Sequence, residues 1–357
     1  MALCCCCQNR LYSVVMNSTE LLRLAERVLS LPTAPYHEYA VRAFIEAHCR
    51  GLGLRVERDA AGNVFARYGR ATPLVIVAHM DHPGFEALGP NRARFLGGVP
   101  NEMFQPGIRV RFQSIRARIR RRIGEKRVLL TGAENLRRDD FGGWDLPLFR
   151  LRSDQIHAAQ IDDLLGVVTI LATLTEVVRR RLRTSLWGVF TRAEEVGFPG
   201  AIEVARSGRI PHKSLVISLE TSKERPWAQI GDGPVIRVGD RMTMFDPSAS
   251  WFLTETARRA KIRAQRCLMD GGSCEATAFA AHGYRTGGLC LPLGNYHNIG
   301  PGKRPAAEFV SVSDFEGLVA LTVEVARRWP RFGEITGDLR KRVDRIYRSA
   351  PRKLSDK

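Results

Sequence analysis

Apolar residues recur at helical spacing from Asn17 onward: Leu21, Leu22, Leu24, Ala25 and Val28 form one stripe, and Pro32 follows its end. A second helix is predicted from about His37 to Cys49, with Val41, Phe44 and Ile45 inward and Gly51 as its terminator. The period then changes. Leu54–Arg58 and Asn63–Tyr68 read as strands around the turn Ala60–Asn63, and Pro73–Ala78 (PLVIVA) is a continuous apolar run, as a strand covered on both faces requires. Farther on, Leu164–Arg181 reads as a long helix, Ser185–Phe190 as a buried strand, Gly200–Ser207 as a short helix, Ser214–Leu219 as a buried strand and Ser313–Arg328 as a closing helix. Another apolar strand lies around Leu289–Leu291. Buried strands alternating with helices predict an α/β fold, a three-layer α/β/α core around a mixed central sheet.

Phe85–His157 breaks this rhythm with glycines, prolines and short alternating stretches such as Ile108–Phe112 and Ile115–Ile119. It reads as a small β-rich, barrel-like domain over 85–157, inserted into a discontinuous α/β domain formed by 16–84 and 158–330. The tail 331–357 is basic and expected to be only partly ordered. Residues 1–15 read as a disordered extension or a misplaced start, since Met16 precedes the helix-start signal Asn17–Glu20.

Composition narrows the classes. The 44% hydrophobic and 26% charged residues are those of a globular chain. The longest apolar stretch, Leu164–Leu174, is about half of the roughly 20 residues a spanning helix needs, so no membrane role is expected. Four of the eight cysteines are the run Cys4–Cys7, and the others are scattered, which argues for a reduced, cytoplasmic protein rather than a disulfide framework. Lys and Arg total 55 against 37 acids, net charge +18; 47 of the 55 are Arg, with runs at Arg116–Arg122, Arg179–Arg183 and Arg340–Arg352. No nucleic-acid motif or aromatic platform accompanies them, so a solvated surface is preferred to a nucleic-acid partner.

The chemistry lies where buried strands end or a helix begins, the edge at which open α/β sheets assemble their sites. His79-Met80-Asp81 follows VIVA, Asp162-Asp163 opens the long helix, Glu194-Glu195 follows VFTRA, Glu220 follows LVISL, and His297 lies in PLGNYHN. Singly, each is an ordinary cap or solvated loop residue. Jointly they are oxygen and imidazole donors with no thiolate, a mixture suited to hydrolytic zinc, cobalt or manganese.

The motifs AHMDHPGF (Ala78–Phe85), IDDLLG (Ile161–Gly166), AEEVGFPGA (Ala193–Ala201), GDGPVIRVGD (Gly231–Asp240), GGSCEATAF (Gly271–Phe279) and PLGNYHN resemble those of the co-catalytic di-metal aminopeptidases, the glutamyl/leucyl and deblocking family of the zinc exopeptidases, over roughly 17–330. The resemblance implies two divalent ions, zinc foremost with cobalt or manganese as alternatives. His79 would hold one and His297 the other, with Asp162 bridging, Glu195 on one ion and Glu220 on the other. It further implies Asp81 orienting His79, Glu194 as general base, and a cis peptide at Asp162–Asp163. Two ions bring +4 and the three carboxylates −3, leaving +1 for a bridging hydroxide. Adjacent glutamates serve one site only where the chain bends, for which Gly197, Pro199 and Gly200 are available.

Spacing favours the aminopeptidase branch. The 83 residues from His79 to Asp162 accommodate the insertion, whereas the 77 from Glu220 to His297 leave little room for the lid of the carboxypeptidase and deacylase relatives. The expected activity is removal of the N-terminal residue from short peptides by a self-assembled homo-oligomer. Glu220, where aminopeptidases usually have Asp, and Cys274-Glu275, where the family often has Thr-Asp, depart from the pattern. A carboxypeptidase or N-acyl amino acid deacylase using the same metals therefore stays open, as does, in another class, nucleic-acid binding by the Arg-rich surface.

Overall fold

The computed structural model describes residues 16–348. The expectations for 1–15, with Cys4–Cys7, and for the last nine residues lie outside these. Helices α1 (Ser18–Leu29) and α2 (Tyr39–Gly51) precede β1 (Arg55–Arg58), β2 (Val64–Tyr68) and β3 (Leu74–His79). Then come β4 (Gly84–Gly89), β5 (Arg92–Leu96), β6 (Arg109–Phe112), β7 (Ile115–Gly124), β8 (Arg127–Thr131), β9 (Phe141–Trp144), β10 (Arg150–Arg152) and β11 (Gln155–Ala158). The chain continues through α3 (Leu164–Arg179), β12 (Leu186–Thr191), α4 (Pro199–Arg206), β13 (Leu215–Lys223), β14 (Val235–Arg237), α5 (Pro247–Ala260) and β15 (Gln265–Cys267). It closes with α6 (Glu275–Ala281), β16 (Arg285–Leu293), β17 (Glu308–Ser311), α7 (Val312–Arg328) and α8 (Phe332–Arg348).

The main sheet runs β1-β2-β12-β3-β13-β16-β14-β15. Its centre, β12, β3, β13 and β16, is parallel, while β2 and β14 join antiparallel. Alternation along β3 explains why its first five positions are all apolar: Leu74, Ile76 and Ala78 enter the core under α1, α3, α5 and α7, while Val75 and Val77 enter the one under α4 and α6. All six residues of β3 are buried, and the expected three layers with a mixed sheet are what is observed.

Between β3 and α3 lies a closed barrel, β4-β5-β8-β7-β6-β9. Its interior is aromatic: Phe85 meets Phe95 and Trp144 edge-on, each at 4.9 Å. β10, β11 and β17 form a third, small sheet. Beyond Pro330, where sequence suggests little order, α8 is docked. Ile335 is buried, Trp251 Nε1 donates to the Ile335 carbonyl at 3.2 Å, and Phe332 meets Phe252 at 5.1 Å. The apolar contacts are few and widely spaced among charges, which hid this helix from a reading by hydrophobic pattern.

Candidate metal centre

Four parallel strands run toward one edge, and the donors lie in or just beyond their carboxyl-terminal halves. His79 closes β3, Glu220 lies within β13, Glu194-Glu195 follow β12, and His297 follows β16. Asp162 sits just before α3, joined to Asp163 by a cis peptide. Asp163 caps α3, its Oδ1 accepting from Gly166 N at 3.2 Å. Only glycine fits there, because a Cβ at position 166 would lie 1.9 Å from Asp163 Oδ2.

The two imidazoles converge on one carboxylate. His79 Nε2 is 3.6 Å from Asp162 Oδ1, and His297 Nε2 is 3.6 Å from Asp162 Oδ2. His79 Nε2 lies 4.0 Å from Glu220 Oε2 and 4.0 Å from Glu194 Oε2; His297 Nε2 lies 3.3 Å from Glu195 Oε2. Most of these separations are long for hydrogen bonds. They suit donors sharing an ion, since two ligands each ~2.1 Å from a tetrahedral zinc stand ~3.4 Å apart. Three triads emerge, each with its ligand atoms within 4.8 Å of one another: His79–Asp162–Glu220 and Asp162–Glu195–His297, which share Asp162, and His79–Glu194–Glu195. Asp162 Oδ1, Glu195 Oε1 and Glu220 Oε1 are buried without a hydrogen-bond partner. Orphaned carboxylate oxygens beside free imidazole nitrogens fit divalent cations.

Both rings present Nε2 because Nδ1 is engaged: that of His79 lies 3.0 Å from the Asp81 carbonyl, and that of His297 lies 2.7 Å from the Gly98 carbonyl. Asp81 thus orients His79 chiefly through its backbone. Its carboxylate, 3.6 Å from Nδ1, accepts instead from the amides of Glu194 at 2.9 Å and Glu195 at 3.1 Å. The bend that brings both glutamates inward begins earlier than the glycines suggest. Ala193 is left-handed (φ 58) and starts a tight turn over Glu194–Val196, before Gly197.

Residues distant in sequence hold this turn. Glu38, fully buried, accepts from Ala193 N at 3.0 Å and from Arg192 Nε at 2.7 Å. Arg192 also reaches the carbonyls of Ala61 and Tyr36, each at 2.7 Å. On the other side Glu308, also fully buried, accepts from Ile161 N at 2.7 Å, Asp162 N at 3.3 Å and His82 Nε2 at 3.1 Å. Glu38, Arg192, Glu308, His82 and Gly98 escaped the sequence reading; only the buried-looking acid in AAEFVSV hinted at one of them.

Crowded acids shape the electrostatics. Burial, with the charges of Asp162 and Glu275, pushes Glu220 up to about 8 against the pull of His79 and Arg237. Burial likewise holds Glu194 well above the usual carboxylate range, aided by Glu220, Glu195 and Glu275 and opposed by His79. Burial alone would raise Asp162 and lower the imidazoles. Instead the facing rings of His297 and His79 pull Asp162 down, and the carboxylates raise both histidines well above their ordinary value. The cluster therefore calls for added positive charge. Cys274 sits nearby with its thiol pushed well up by burial, hence neutral, and it joins none of the triads.

Residues 132–321 match the model of the M42 glutamyl aminopeptidase family. A curated relative from Acetivibrio thermocellus is 22% identical, the match covering 87% of this chain and 99% of the relative. The fold is similar to that of the TET1 peptidase of Pyrococcus horikoshii, a chain that assembles into a tetrahedron or a large octahedral shell (21% identity, 86% and 99% covered, TM-score 0.73). It is also similar to the TET aminopeptidase of a Thaumarchaeota archaeon from marine sediment (18% identity, 90% and 100% covered, TM-score 0.76). Among the described residues no helix is long and apolar enough to cross a membrane.

Proposed function

The chain belongs to the M42 glutamyl aminopeptidase family, and from that premise we propose that it removes N-terminal residues from short peptides with two divalent cations, zinc foremost, held by five side chains. The observation carrying this reading is the pair of triads sharing Asp162. One ion would be held by His79, Asp162 and Glu220, the other by Asp162, Glu195 and His297. When bound, the cations would polarise the scissile carbonyl and acidify the attacking water.

The chain's own groups do the rest. Glu194 is the best-exposed acid of the cluster, its side chain 13% accessible, and it belongs to neither of the triads that share Asp162. It takes the proton from the attacking water and returns it to the departing amine. Its amide and that of Glu195 are fixed by Asp81, so base and ligand move as one piece. The recess beside Glu220, lined by Lys223, Arg225, Arg237 and Tyr296, would receive the N-terminal side chain, and its basic wall suits an acidic one. By analogy with the Pyrococcus chain, the working form is a homo-oligomer.

A panel of free, N-acetylated and C-amidated dipeptides with acidic and apolar first residues tests the activity. Cleavage of the free and C-amidated members, blocked by N-acetylation, is expected. Cleavage that survives acetylation and stops on amidation would replace this reading with a carboxypeptidase or deacylase.

A further inference from the structure

Arginines of the inserted segment gather on the outer face of four neighbouring barrel strands, β5, β8, β7 and β6. Residues 84–144 hold thirteen basic and six acidic side chains, net +7 of the chain's +18 in about a sixth of its length. Strand pairing sets six of them face to face: Arg109 opposite Arg118, Arg111 opposite Arg116, and Arg94 opposite Arg127. Their neighbours Val110, Ala117, Phe112 and Val128 point inward and are buried, so the guanidinium groups are on the outside. Like charges directly opposite on antiparallel strands repel. Glu86 takes up Arg94 at 2.6 Å. The other two pairs share one carboxylate, Asp145, which lies 3.9 Å from Arg109 and 4.0 Å from Arg116. Arg120, Arg121 and Arg122 carry the exposed positive row on along β7.

We propose that this wall binds the phosphate backbone of single-stranded nucleic acid. Guanidinium forks match phosphate oxygens, and here they repeat ~4.8 Å across strands and ~6.8 Å along them, a lattice of positive sites in which Glu86 and Asp145 offset only part of the charge. A protein partner fits less well, because interfaces need buried apolar or aromatic anchors. The wall's apolar side chains are Ile123, exposed at its margin, and the half-buried Ile115 and Leu129, none of them aromatic. No helix or ribbon projects from the barrel to enter a groove, and a stiff duplex meets a convex wall at few phosphates where a flexible strand follows it. The structure thus revises the solvated-surface reading: hairpin register turns a local excess of arginine into facing pairs on one surface. This inference stands apart from the peptidase reading and needs no metal.

The test is fluorescence anisotropy of a labelled oligo-dT of about 20 nucleotides with the full-length protein across salt, with and without chelator. One variant replaces Arg109, Arg111, Arg116 and Arg118 by Gln. A control replaces Arg340, Lys341, Arg345 and Arg348 on α8 by Gln, an equal loss of charge. Binding that survives chelation is expected, with affinity at least tenfold lower in the barrel variant and a log–log salt slope smaller by about three, at ~0.7 per phosphate contact. The α8 control should change little. Asp145→Asn, which removes the one acid between the pairs, should tighten binding. The proposal is overturned by no binding near physiological salt, by equal losses in barrel variant and control, by weaker binding of Asp145→Asn, or by polyglutamate or duplex DNA of similar length binding as tightly.

Discussion

At the carboxyl edge of the main sheet, acids and imidazoles of opposite tendency are sunk into the protein, and the backbone that carries them is tied down by Glu38, Asp81 and Glu308. On the outer wall of the barrel, charges of one sign stand in solvent, opposed in pairs, with Asp145 and Glu86 as their few partners. Burial makes each carboxylate of the first region costly until a cation arrives. Exposure makes each arginine of the second cheap, and only their registration is unfavourable. Both regions thus hold an unbalanced charge that invites a ligand, but a preformed, deep site selects small cations while a lattice on the surface selects a polymer.

The contrast can be broken hardest at Glu194. Glu194→Gln is expected to lower turnover by roughly 10²-fold or more with metal content intact if, as proposed, the group acts on the proton and holds no ion. Unchanged turnover removes it from the base role, and lost metal recasts it as a ligand. A smaller effect sharpens the same side. Glu38→Gln keeps an acceptor for Ala193 N but gives up the charge on Arg192, so the Glu194-Glu195 turn loosens. Binding of the ion at Glu195 and His297 should weaken about tenfold, the low end for a hydrogen bond to a charged group, while binding at His79 and Glu220 holds. Calorimetric metal titration reads this directly. Equal weakening of both ions would make Glu38 a general support of the fold.

How much of this was legible in the sequence follows from where each partner lies. The donors themselves were visible because a His or acid directly after a fully apolar strand is conspicuous, as at His79 and Glu220. Their supports were not. Glu38 acts on Ala193 across 155 residues, Glu308 on Asp162 across 146, and Gly98 on His297 across 199, distances that periodicity does not reach. Ala193 gave no sign of its left-handed backbone, since alanine seldom adopts it. The short strands β14 and β15, three residues each, carried too little pattern to be seen. Of the arginine wall, alternation over Ile115–Ile119 shows one basic strand face, but facing pairs such as Arg109 and Arg118 depend on hairpin register, which that alternation does not contain.

The central claim, two cations sharing Asp162, is tested most directly by titrating metal-free protein with zinc near pH 6 and near pH 8, alongside His297→Ala. The raised histidines mean that, without metal, protons on His79 and His297 stabilise the cluster below their ordinary pKa of about 6.5, and this stabilisation is lost as pH rises through the raised values. Zinc must displace those protons, so affinity climbs with pH and binding releases protons wherever the rings are still protonated. The account predicts two equivalents for the wild type and one for His297→Ala. A single equivalent in the wild type, or two in the variant, would contradict it.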